Sequence, residues 1–369
     1  MSKLYSIVKH AAVIAREGVN YALFLGGRNI GKSYQVKHEI LRRCYQEGAE
    51  FTYLRREDKD IKTSLVQGYF ADVDVRELTS GEWDSIHVYQ GQIYFAGRDS
   101  EGKITRKKNI GYAHALSMRT HYKSVLYPEV KYILFEEFVP DGSPYLFQEP
   151  QALQEYVSTI ARLNEITVYI VGNMISKLSP YFTEWHLDGV PKMKAGQIDL
   201  YHNTVTVQDI DGIHEHTVTI SIEYCSASGI LSKMSFGSAA SQIVKNEFRS
   251  QDVPRLTTAY LDNCADKKYT MYMIYQNLKF KLILYRDDIG FFWYVRPADG
   301  SLKIEDLSGK RCITDITDAD PMHTRLEPIS QKEARVFAIL KEGRIFYASN
   351  MTGTDFRQCV RALQLRARG

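Results

Sequence analysis

The spacing of apolar residues changes character several times along the chain, and each change marks an element. Ile7, Ala11, Ile14 and Ala15 recur at helical spacing within the first 20 residues. Residues 21–25, Tyr-Ala-Leu-Phe-Leu, form an unbroken apolar run, the pattern of a strand covered on both faces. Val36, Ile40 and Leu41 return to helical spacing, so strand, short loop and helix follow one another here. Residues 50–56 predict a second strand ending in Arg55 and Arg56. Residues 60–112 are polar and turn-rich, with an alternating stretch at 85–96 that predicts a hairpin. Residues 131–138 run from apolar positions into two carboxylates. A helix is predicted over 149–164, with Pro150 near its first turn. A buried strand over 167–173 ends in Asn173.

The second half has another texture. Residues 174–200 show no regular pattern. Alternation over 201–222 predicts a hairpin turning at Asp211-Gly212, and residues 225–241 are small and flexible. Three β-rich runs, 268–275, 279–285 and 290–295, predict a meander, and helices are predicted over 330–342 and 353–367. The expected fold class is α/β, with a mostly parallel sheet in residues 1–200, a linker or lid region over 201–255, and a smaller α/β domain over 256–369.

The loop after the first strand carries the candidate chemistry. Gly26, Gly31, Lys32 and Ser33 fit the G-x-x-x-x-G-K-[ST] phosphate-loop spacing, in the strand–helix context that the pattern requires. Backbone amides from Gly26, Gly27, Arg28, Asn29, Ile30 and Gly31 through Lys32, Ser33 and Tyr34 are expected to cradle a polyphosphate at the positive end of the following helix. Lys32 is expected to reach the outer phosphates of ATP, and Ser33 to ligate Mg2+. The carboxylates at the end of 131–138 complete the pattern. Glu136 is expected in the Mg2+ shell, and Glu137 as the base that orients and activates the attacking water. Glutamate in place of the more usual aspartate lengthens the reach of the first acid by one methylene. Asn173, at the end of its own strand, is placed to sense the γ-phosphate or the water. Together these define a P-loop ATPase domain of the additional-strand (ASCE) type.

Charge and cysteine usage narrow the setting. The net charge of +3 announces no global basic field, so any nucleic-acid surface has to be local. The densest basic cluster is Lys103, Arg106, Lys107 and Lys108, read as a loop that can contact a phosphate backbone, as Arg55 and Arg56 can. Five scattered cysteines make neither a disulfide framework nor a metal spacing, and point to a reduced, intracellular setting. No apolar run reaches the ~18 residues of a membrane span, and the first residues lack a signal-peptide core. His214 and His216 share a strand face, but two ligands without a third read as ordinary strand residues.

In order and in residues, these motifs resemble the DNA-packaging ATPases of phi29-like bacteriophages, the small terminase-type motors. The resemblance is carried by residues 26–33, by 51–56, by 123–138 with Tyr127-Pro128, by Gly172-Asn173 and by 179–182. It implies a ring, usually of five subunits, that translocates double-stranded viral DNA through the portal into a procapsid in the host cytoplasm. A packaging RNA sits between motor and portal in some members. By resemblance, Arg162 takes the place of an arginine finger that completes a neighbour's site, and Lys123 that of a DNA-touching lysine. The resemblance also implies an RNase H-like C-terminal domain. Residues 268–275 contain no acid, so this domain is expected to be a vestigial nuclease used for docking. A second class of function, a nucleotide-dependent switch or assembly module without translocation, uses the same phosphate loop.

Overall fold

The computed structural model describes residues 4–139, 145–162, 164–173, 179–209, 212–226, 253–262, 264–275, 278–303, 305–307, 310–314 and 343–366, together with 331 and 338. The chain divides into two compact units, one comprising residues 1–175 and 179–248, the other 176–178 and 249–369.

The first unit is built on nine strands in the order β3-β4-β5-β2-β6-β7-β1-β9-β8. These are β1 (Tyr21–Gly26), β2 (Glu50–Arg55), β3 (Ser85–Tyr89), β4 (Gln92–Arg98), β5 (Ile104–Ala115), β6 (Val130–Glu136), β7 (Thr167–Asn173), β8 (Ile198–Asp209) and β9 (Gly212–Cys225). The run from β5 through β2, β6, β7 and β1 to β9 is parallel throughout. Hairpin strands β3, β4 and β8 extend it antiparallel at its two edges. Successive residues of a strand point to opposite faces, and here both faces are covered. Ala22 and Phe24 of β1 pack on one side with Val36, Ile40 and Leu41 of helix α2 (Lys32–Glu47), behind helix α1 (Val8–Glu17). Leu23 and Leu25 pack on the other side, where Leu153, Tyr156 and Ile160 of α5 (Glu149–Ala161) and Tyr181 of α6 (Pro180–Glu184) cover the sheet. Two short helices, α3 (Thr63–Tyr69) and α4 (Val75–Leu78), lie within the polar stretch after β2.

Two expectations need correction. The hairpin β8–β9, assigned to a linker starting at residue 201, belongs to the main sheet. Ile220 and Ile222 are buried, and β9 pairs in parallel with β1 from Tyr21↔Ile220 to Gly26↔Cys225. The basic cluster 103–108 is no loop but mostly the exposed first half of β5, paired with β4. Residues 227–252, which include most of the stretch expected to be flexible, and most of the helix expected over 330–342, lie outside the described residues.

The second unit holds five strands in the order β13-β10-β11-β12-β14, namely β10 (Ala265–Tyr275), β11 (Leu278–Arg286), β12 (Phe291–Pro297), β13 (Cys312–Thr314) and β14 (Ile345–Tyr347). The expected meander β10–β11–β12 is antiparallel, while β13 and β14 lie parallel to β10 and β12. Its core includes Met271, Leu282, Trp293 and Val295, with Phe356 of the helix Asn350–Arg366 set edge-on to Phe280 at 5.5 Å. Strand β10 begins at Ala265, three residues before the expected start, so Asp266 falls within it and the expectation of a first strand without an acid is corrected.

Candidate functional site

The loop between β1 and α2 is shaped by two glycines. A Cβ on Gly26 would stand 2.6 Å from the Cys225 carbonyl oxygen, so any larger residue would push the loop off β9. Gly31 turns the chain at φ 93°, a region strained for other residues, and opens α2. The N-terminal segment braces the loop. The Tyr5 amide donates to the Ile30 carbonyl at 2.9 Å, and the Tyr5 hydroxyl donates to Glu223 on β9 at 2.7 Å. His10 contacts the same carboxylate at 3.1 Å and the Ser221 hydroxyl at 2.8 Å. Arg28 and Asn29 are exposed on the loop, while Tyr34 is half-buried and stacks on His38 at 6.0 Å.

Lys32 is the first residue of α2 and is buried. Its ammonium donates to the carbonyls of Gly26 at 3.2 Å and Gly27 at 2.5 Å, and to Asn173 Oδ1 at 3.4 Å. Burial pushes its pKa down to about 8, against the opposing pull of the Glu136 carboxylate. The curled side chain caps the loop through these backbone carbonyls.

Strand β7 lies between β1 and β6, so Asn173, Gly26 and Glu136 end side by side at one edge of the sheet. Glu136 is buried; burial raises its pKa, while hydrogen bonds from Tyr69 and Ser33 and the charges of Arg55 and Lys32 pull the other way. The next residue, Glu137, is exposed and sits at φ 57°, an uncommon conformation for a side chain of its size. Its carboxylate meets Arg55 at 2.6 Å.

Mg2+ takes oxygen ligands in octahedral geometry and usually completes its shell with phosphate oxygens and water. The Ser33 hydroxyl and the Glu136 carboxylate, in contact beside the start of α2, supply oxygen donors of this kind. Among the described residues no group of three or more His, Cys, Asp or Glu could hold a metal by itself. Ser33 and Glu136 therefore fit as oxygen donors that could hold a cation arriving with a nucleotide.

The two arginines at and just after the end of β2, expected to reach DNA, are engaged within the chain. Arg55 faces Glu137. Arg56 is buried in a fork with Glu149, at 2.6 and 2.8 Å, and also donates to the carbonyls of Glu137 and Phe138. Glu149 in turn accepts from the Tyr181 hydroxyl and the Leu146 amide. This closed network leaves Arg56 no exposed surface for a phosphate backbone. Arg162 ends α5 at φ 41°, is exposed, and donates to the Lys123 carbonyl. Lys123 is exposed at the end of a 3-10 turn. Lys103, Arg106, Lys107 and Lys108 are exposed, with Arg106 over the Trp83 ring at 4.5 Å and Lys107 over Tyr94 at 4.6 Å. Sequence patterns missed Tyr69, Glu149 and the Tyr5–Glu223–His10 brace. Each is defined by a partner dozens of residues away, and no local spacing marks it.

A parallel sheet with a glycine loop opening a helix, and with polar groups at the ends of the two neighbouring strands, defines an ATPase-like α/β domain. The chain belongs to the Podovirus DNA encapsidation protein (Gp16) family, whose sequence model matches residues 10–219. It is similar to the DNA packaging proteins of Bacillus phages phi29 and PZA, at 32% identity over 166 residues in each case. Those alignments cover 44% of this chain and 45% of each relative, so the chain spans about half the length of the curated relatives it matches. Its fold is like that of a chain in the bacteriophage phi29 viral genome packaging motor assembly, with a TM-score of 0.55 and 20% identity over 98% of this chain and 100% of that one. No helix among the described residues is long and apolar enough to cross a membrane.

Proposed function

We propose that this chain is the ATP-hydrolysing subunit of a ring motor that drives double-stranded DNA through a portal into a procapsid. The observation that carries the reading is the insertion of β7 between β1 and β6, which brings Lys32, Glu136 and Asn173 to one sheet edge. This insertion supports the additional-strand arrangement, and the relatives' name, DNA packaging protein, supports the same reading. Bound Mg-ATP supplies the transferable phosphoryl group and the divalent charge that polarises it. Loop amides and Lys32 hold the outer phosphates, and Ser33 and Glu136 hold the cation. Glu137 accepts the proton of the attacking water once its carboxylate leaves Arg55. Asn173 senses the γ-phosphate, a role supported by its Oδ1 accepting from Lys32 at 3.4 Å.

Arg162 is exposed at the end of α5, as a finger acting on a neighbouring subunit has to be. It supplies positive charge to the transition state there, so hydrolysis depends on ring assembly, with five subunits by resemblance. Lys123 and the exposed β5 row, Lys103, Arg106, Lys107 and Lys108, grip phosphates without reading sequence. The second unit is an RNase H-like docking module for the portal or a packaging RNA. Its antiparallel meander with β13 parallel beside the first strand supports that fold, from which β14 departs by lying beside β12 at the opposite edge. The motor works in the host cytoplasm, transiently on the procapsid. The test is packaging of DNA into procapsids by Glu137→Gln. Loss of packaging with nucleotide binding retained supports the motor; packaging at the normal rate contradicts it and favours a nucleotide switch.

A further inference from the structure

Tyr69 closes α3 in a stretch that no motif covers, yet its hydroxyl donates to Glu136 Oε1 at 2.7 Å. The ring is fixed from several sides. It stacks on Tyr53 of β2 at 4.7 Å, and Phe70 meets it edge-on at 4.9 Å. The ammonium of Lys37, one turn into α2, lies 4.5 Å from its centroid. Lys37 is buried, donates to the Tyr69 carbonyl and pairs with Asp72. Two residues before Tyr69 in α3, the Gln67 side chain stitches the helix to edge strand β3. It donates to the Ile86 carbonyl and accepts from the Val88 amide, both at 2.9 Å. The phenol is therefore braced by Lys37 of the phosphate-loop helix and by Tyr53 of β2, and the helix that carries it is tied to the hairpin through Gln67.

The first acid at this site is a glutamate, which has one more rotatable bond than an aspartate. A buried carboxylate on a longer arm needs a second anchor to keep a single geometry toward Ser33. Tyr69 supplies one, because a donor to a buried carboxylate makes a short, charge-assisted bond. We infer that Tyr69 is a positioning residue that sets the Glu136 carboxylate for the nucleotide-borne cation, so that α3 forms part of the metal site. The inference rests on the nucleotide reading above. Simple packing of a phenol that finds its nearest acceptor is the competing explanation, and it predicts no metal-specific effect.

The test uses the full chain and a fluorescent ATP analogue, with affinity measured in EDTA and across a Mg2+ titration. Tyr69→Phe keeps the ring and its stacking and removes only the hydroxyl. The half-saturating Mg2+ concentration is expected to rise about tenfold, the scale of one hydrogen bond to a charged group, with affinity in EDTA unchanged within about twofold. Adding Tyr69→Phe to Glu136→Gln is expected to cost nothing further, since the phenol acts through that carboxylate. An unchanged Mg2+ dependence overturns the inference, as does an equal loss with and without the metal. If the wild-type chain itself shows no Mg2+-dependent nucleotide binding, the nucleotide reading falls and takes this inference with it.

Discussion

In the nine-stranded sheet, β1, β6 and β7 run parallel, so their C-terminal ends share one edge, and each brings a polar group or a loop there. Gly26, Glu136 and Asn173 meet in this way, although they come from positions far apart in the chain. In the five-stranded sheet, β10, β11 and β12 run antiparallel, so consecutive strand ends fall on opposite edges. The acid of its β11–β12 turn, Asp287, is closed by Arg344 at 2.9 and 3.1 Å and by the amides of Ile289 and Gly290. Strand direction decides whether such groups gather into a site or are spent on turns.

The comparison breaks most sharply on the acids themselves. Glu137→Gln is expected to lower the ATP hydrolysis rate by about 10²–10⁴-fold while leaving nucleotide binding intact, measured by steady-state hydrolysis beside equilibrium binding. Asp287→Asn in the second sheet is expected to leave hydrolysis within about twofold, because that carboxylate holds a turn. If both substitutions abolish hydrolysis, the division between the sheets is wrong.

Stability gives the next largest contrast. Arg56→Ala strips the partner from a buried carboxylate and is expected to cost about 3–5 kcal/mol, read by urea unfolding. Arg55→Ala removes a pair whose acid is mostly exposed, and is expected to cost at most about 1 kcal/mol. Equal losses would mean that the two neighbouring arginines do the same job.

A smaller effect comes from His114 on β5. Burial among Tyr112, Tyr122, Tyr127 and Tyr156 pushes its pKa down to about 3. The unfolded chain holds that proton up to a pKa of about 6.5. Neutral His114 therefore contributes stability that is fully present above about pH 6.5 and is lost as the pH falls toward 3. Replacing His114 by Gln is expected to flatten the fall of the melting temperature between pH 6.5 and 4.5. An unchanged slope would show that other groups carry the acid sensitivity.

Much of the first sheet was legible because its strands are locally marked. An apolar run followed by Gly26 to Ser33, another ending at Glu136, and a third ending at Asn173 each carry their signal within thirteen residues. What escaped was long-range. Nothing between residues 201 and 222 says that β9 joins β1 rather than standing as a linker, because the partner lies some 200 residues away. Arg56 reads as a strand-end cation until Glu149, 93 residues on, is folded against it. The basic residues 103–108 read as a loop because their apolar partners are on β4, and alternation along β5 alone is hidden by the run of cations. Tyr69 lies in a polar stretch where one tyrosine looks like any other, and only Glu136 across the fold distinguishes it.

The most direct test of the ring motor is the hydrolysis rate per subunit against protein concentration, with and without double-stranded DNA, for wild type and Arg162→Ala. A rate that climbs steeply with concentration, responds to DNA and collapses in the variant is expected of a finger that acts on a neighbouring subunit. A rate that stays flat, ignores DNA and survives the substitution would contradict the motor and leave a nucleotide-binding protein that works alone.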